Sequence, residues 1–202
     1  MDHQPSNDGA VVVVDRRYCY DQAVDLKIVK KGFSASGGDF TVSDGHGNLV
    51  FKVEGVYWSR RSERIVYDVG HNPLFSMRCK LLSNHDRWKV YRGRSFDEKH
   101  LIFSAKRSSI FQFKTNLDVF MAANKKEKVC DFKVNFFENS CTIYKGDSPT
   151  IIAQMGRKYT VENVLLGRDT FEITVNQNVD HAFITALIII LYEIKKPRQV
   201  CY

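Results

Sequence analysis

The stretch "DHAFITALIIILYEIKK", residues 180–196, constrains the fold more than any other part of the chain. From Ala182 to Tyr192 eleven residues run apolar, interrupted only by Thr185. A membrane-spanning helix needs roughly 20 such residues, and here Glu193, Lys195 and Lys196 close the run too early. Asp180 stands where a helix N-cap belongs, and the two lysines stand where cations suit a helix C-terminus. Pro197 then ends the pattern. A helix over residues 180–194 that is apolar on every side has to be surrounded on every side. The rest of the chain must therefore build its container.

That container reads as β-structure. "DFTVSD" (39–44) alternates apolar and polar residues, "GHGN" (45–48) turns, and "LVFKVEG" resumes with Leu49, Phe51 and Val53 on one side. Period-two patterning on both sides of a Gly/Asn turn is the hairpin signal. It recurs in "RIVYDV" (64–69) before "GHNP" and "LFSMRCK", in "RWKVYRG" (87–93) before "HLIFSAKR", and in "VCDFKVNF" (129–136). "FQFKTNLDVFM" (111–121) reads as one strand with Phe111, Phe113, Thr115, Leu117 and Val119 on one face. With "AVDLKIVK", "SCTIYKG", "TIIAQMGRK" and "FEITVNQN" the total is about a dozen strands joined mostly by short turns, so a meander is the economical topology. The four prolines (5, 73, 149, 197) avoid strand interiors.

A barrel of about eight strands fills its lumen with side chains alone, while one of eleven or twelve leaves more room. An α-helix with side chains is about 10–12 Å across, and 14 residues of it span about 21 Å, near the length of a six-residue strand. The expected fold is mainly β: a closed antiparallel β-barrel of about twelve strands around a central hydrophobic C-terminal α-helix. Residues 1–10 read as a disordered tail and 11–202 as a single barrel domain.

Cysteine usage and charge set the setting. The five cysteines (19, 79, 130, 141, 201) include no CxxC pair, no Asn-x-Ser/Thr acceptor occurs among eleven asparagines, and "MDHQPSNDGA" lacks a signal peptide's apolar core. An intracellular, cytoplasmic compartment is expected, with peripheral association at the plasma membrane or the nucleus as further settings. The net charge of +7 favours anionic partners.

No reaction is spelled out. GxSxG, HExxH, P-loop and GxGxxG motifs are missing, and the six histidines (3, 46, 71, 85, 100, 181) show no ligand spacing. "SDGHGN" (43–48) looks superficially like a calcium loop but lacks the later bidentate Glu, so a hairpin turn is expected. The expectation is a non-enzyme with no catalytic residue, metal or cofactor.

Four segments carry a resemblance: "HDRWKVYRG" (85–93), "AKRSSIFQFKTNLDVFM" (105–121), "IIAQMGRK" (151–158) and "NVDHAFITALIIIL" (178–191). Together they resemble the plant LURP-one-related family, within the tubby-like and phospholipid scramblase superfamily. The resemblance implies the helix-threaded barrel. It also implies a link to plant defence and, through tubby-like domains, recognition of phosphoinositide or other anionic phospholipid headgroups by Arg and Lys on adjacent strands. Carried onto this chain, it points to Arg107 with Lys106 in "AKRSS", and to Arg78 and Lys80 in "RCK". Arg78 and Lys80 share a face because strand side chains alternate, and Arg107 is expected on the wet exterior with them.

Other basic clusters, "WSRRSER" (58–64) and "NKKEK" (124–128), read as solvated loops, with Trp58 beside Arg60 and Arg61 as a membrane contact. Cys201 is an acylation candidate but not a prenylation box. A protein-interaction scaffold with unknown protein partners, or a membrane-tethered transcription regulator, is the alternative function. No recognition helix supports nucleic acid as a partner, and a monomer is expected.

Overall fold

A computed structural model describes residues 9–31, 39–56, 62–80, 86–111, 114–137, 140–155 and 170–195. Twelve strands run in order: β1 (Val24–Lys30), β2 (Phe40–Asp44), β3 (Leu49–Gly55), β4 (Arg64–Tyr67), β5 (Pro73–Cys79), β6 (Trp88–Arg92), β7 (Leu101–Phe111), β8 (Lys114–Met121), β9 (Phe132–Phe137), β10 (Ser140–Lys145), β11 (Ile151–Met155) and β12 (Thr170–Val175). Each pairs antiparallel with its neighbours in sequence, and β12 pairs back onto β1, with Val24 opposite Val175 and Leu26 opposite Ile173. Closure removes both sheet edges, which is how an all-β chain avoids presenting unpaired backbone to other molecules.

Helix α1 (His181–Lys195) fills the lumen, and every residue from His181 to Leu191 is buried. Inward-facing residues from around the barrel meet it, including Leu26, Val42, Phe51, Phe75, Phe103, Leu117, Val134 and Ile173. Phe183 packs edge-on against Phe103 at 5.2 Å and tilted against Phe132 at 4.8 Å. The apolar stretch is core, and no helix among the described residues is long and apolar enough to cross a membrane.

Asp180 caps α1 as its position predicts. One carboxylate oxygen accepts from the Ala182 and Phe183 amides at 3.0 and 3.2 Å. The other accepts from Val13, Val14 and Asp15 at 3.1, 2.6 and 3.0 Å. Residues 11–15 are thus a strap across the mouth where α1 begins, not a strand of the barrel. Its Val11, Val13 and Val14 side chains are buried in the core, and Val11 forms a single parallel bridge with Val179. "SDGHGN" is a hairpin turn: Asp44 accepts from the His46 and Asn48 amides, and Gly47 takes the left-handed φ of 86° that the turn needs.

The reading of 111–121 as one strand needs correction. β7 runs on to Phe111, which pairs with Lys114 across the hairpin, so Phe111 belongs to the preceding strand. Thr115, Leu117 and Val119 are buried on the inner face as the alternation predicts, while Phe113 lies outside the described residues.

Candidate functional site

The basic residues singled out from the sequence fall on β5 and β7, with β6 between them. Arg78 and Lys80 alternate with inward Met77 and half-buried Cys79, and both face outward. Trp88 is in register with Cys79 on one side and Ala105 on the other. The Lys80 amide donates to the Arg87 carbonyl at 2.8 Å. Lys80, Arg87 and Lys106 therefore occupy neighbouring outward positions across three strands.

Arg107 does not join that row. It alternates with Phe103 and Ala105, both fully buried, and is in register with fully buried Leu117. Period two turns it to the lumen side of the sheet at the end of the barrel where α1 finishes. There its Nη1 meets Asp86 at 3.4 Å. The exterior placement expected from the sequence is corrected by this register: Lys106 faces out and Arg107 faces in. A shift in pairing between Arg107 and Ser109 resets the alternation immediately afterwards.

Arg78 is engaged by the segment that follows β6. Its guanidinium lies 5.4 Å from the Tyr91 ring and 5.1 Å from the Phe96 ring, and Nη2 donates to the Phe96 carbonyl at 3.1 Å. Ser76 donates to the Ser95 carbonyl. Lys89 reaches both oxygens of Glu98 at 2.8 and 2.7 Å, and the Tyr91 hydroxyl donates to Glu98 at 3.0 Å. The Lys89 bond, chiefly, holds the Glu98 carboxyl below its ordinary value; burial opposes it, and the Tyr91 bond adds a lesser lowering.

A second carboxylate arrives from the loop between β8 and β9. Glu127 takes a two-pronged bond from Arg87, Nη1 to Oε1 at 2.6 Å and Nη2 to Oε2 at 2.7 Å. Lys106 stands 3.9 Å from Oε2 and 4.6 Å from the Phe120 ring. The Arg87 bond depresses the Glu127 carboxyl and raises the Arg87 guanidinium. Sequence reading missed both residues as site members. Outward Arg87 was legible from inward Trp88 beside it, but its partner lies 40 positions away, and no spacing signals that contact. "NKKEK" is thus more than a solvated loop at Glu127, while Lys125, Lys126 and Lys128 are exposed. Trp58, Arg60, Arg61 and Cys201 lie outside the described residues.

The architecture defines a class, the antiparallel barrel threaded by its own C-terminal helix, here with basic residues on the outer face of β5, β6 and β7. Within that class the chain belongs to the LURP-one-related family, whose model matches residues 24–192. It is 44% identical over 194 residues to Protein LURP-one-related 15 of Arabidopsis thaliana, covering 95% of this chain and 89% of the relative. It is 43% identical over 187 residues to Protein LURP1 of the same plant, covering 92% and 90%. An X-ray structure of an Arabidopsis thaliana protein superposes with a TM-score of 0.73 at 38% identity, covering 92% of this chain and 99% of that one. These names state kinship and no reaction.

Proposed function

We propose that this chain is a non-enzymatic binding module that recognises anionic phospholipid headgroups, phosphoinositides among them, at a membrane surface. The observation that carries the reading is the outward row Lys80, Arg87 and Lys106, with Arg78 and Lys89 two residues further along β5 and β6 on the same face. Adjacent strands hold these cations at the roughly 5 Å spacing of a sheet, which suits a cluster of phosphate oxygens better than a single charge. The family's link to plant defence and a peripheral, intracellular location belong to the same reading.

Co-sedimentation of the full chain with phosphatidylcholine vesicles, with and without phosphoinositide, tests it. Binding is expected only with the anionic lipid and should weaken as salt rises, because the Debye length shrinks from about 10 Å at 0.1 M to about 3 Å at 1 M. Lys80→Gln together with Lys106→Gln should remove most of it. Vesicle binding that ignores these substitutions, or no binding by the wild type, refutes the reading and leaves a protein-interaction scaffold as the better one.

A further inference from the structure

Two carboxylates that pair with basic residues at this end of the barrel, Glu127 on the outer face and Asp86 on the inner side, share an uncommon backbone. Glu127 has φ 45° and Asp86 has φ 44°, both in the left-handed region that side-chain-bearing residues seldom adopt. Glu127 uses it to aim both oxygens at Arg87 with Lys106 beside them. Asp86 uses it to reach Arg107. Strain of this sort persists only where the surroundings hold it in place. The ends of the Glu127 loop are tied by Asn124, whose side chain donates to the Val129 carbonyl at 2.8 Å and to Asp131 at 2.9 Å. Glu127 itself is held by the Arg87 fork and by a long 3.4 Å bond from its amide to the Asn124 carbonyl.

A carboxylate and a phosphate present the same fork of oxygens to a guanidinium. The Arg87 and Glu127 side chains are 24% and 28% exposed, so the pair lies within reach of solvent. The loop bearing Glu127 also carries exposed Lys125, Lys126 and Lys128, which would draw an incoming anion toward the same place. We propose that Arg87 and Lys106 form an anion seat for a phosphate group, and that Glu127 occupies this seat as an internal stand-in until a phosphate-bearing ligand displaces it. This rests on the anionic-headgroup reading and adds its regulation: the loop from Ala122 to Asp131 closes the site and must lift for binding.

Replacing Glu127 with Gln keeps the shape, removes the competing charge and weakens the fork. Glu127→Gln should therefore bind phosphoinositide vesicles about tenfold more tightly than wild type, the size of one charge-assisted hydrogen bond. Adding Arg87→Gln to that variant should erase the gain. Soluble inositol hexakisphosphate, titrated in parallel, separates a phosphate seat that serves free ligands from one that needs a lipid surface. As a measurement on the unaltered chain, hydrogen exchange at the amides of 124–128 should quicken when inositol hexakisphosphate or phosphoinositide vesicles bind. If wild type binds and Glu127→Gln binds equally or less well, with no quickening in that loop, the stand-in idea is overturned and headgroup recognition survives. If neither protein binds vesicles or inositol hexakisphosphate, both fall together.

Discussion

Glu193 on the last turn of α1 meets Arg64 on β4 at 3.0 Å, with side chains only 3% and 7% exposed. Arg64 also donates to the Glu63 carbonyl at 2.8 Å, while its Nε has no partner among the described residues. A buried pair offsets much of its own desolvation cost, so it fixes the helix's position more than it adds net stability. Removing one partner is different, because the other charge stays buried.

Arg64→Met should accordingly lose about 3–5 kcal/mol, whereas Arg64→Met combined with Glu193→Leu should recover most of that loss. Urea denaturation of the three proteins distinguishes the cases. A single variant as stable as wild type would show that Glu193 finds other compensation.

Asp180 carries a second prediction, because it is more than a helix cap. On ordinary capping scales Asn serves nearly as well as Asp. Here one oxygen takes two helix amides and the other takes three strap amides. An asparagine would turn an NH2 group toward one set of N–H donors. Asp180→Asn should therefore cost roughly 3 kcal/mol or more, close to Asp180→Ala, where a simple cap would lose only a few tenths. Asn behaving like wild type in a thermal melt would return Asp180 to an ordinary cap.

The same residues show where sequence reasoning reached and where it stopped. The helix and its cap were legible because their signals are local: an apolar run, an Asp before it, lysines after it. The strands were legible because alternation survives wherever one face is dry. "VVVVD" has no alternation, so nothing in it announced a strap, and its acceptor lies more than 160 residues away. The facing of Arg107 failed for a different reason. Lys106 and Arg107 are consecutive, so which of them faces inward follows only once Ala105 on the same strand and Leu117 across the pair are known to point into the lumen, and that is a tertiary fact. Arg87 and Glu127 were likewise joined only by the folding of a loop back over its own strands.

His181 carries the last prediction. Its ring is buried against Tyr18, Tyr20 and Phe51, with centroids 5.3, 4.7 and 5.5 Å away. Neither ring nitrogen makes a well-formed hydrogen bond among the described residues. Burial pushes its pKa down to about 4 from 6.5, outweighing an opposing pull from the Tyr18 backbone. A base depressed in the folded state costs stability only where the unfolded chain takes up a proton that the native chain refuses. Stability is therefore full above 6.5, falls as pH drops from there toward 4, and falls no further on this account below that. Between pH 7 and pH 5 the loss should be about 2 kcal/mol, because each pH unit over which only the unfolded chain holds the proton costs about 1.36 kcal/mol. His181→Phe keeps an aromatic ring against the same three neighbours and cannot take a proton. Its denaturation midpoint should stay level over that range while the wild-type midpoint declines. Parallel declines in the two proteins would assign the acid sensitivity to other groups.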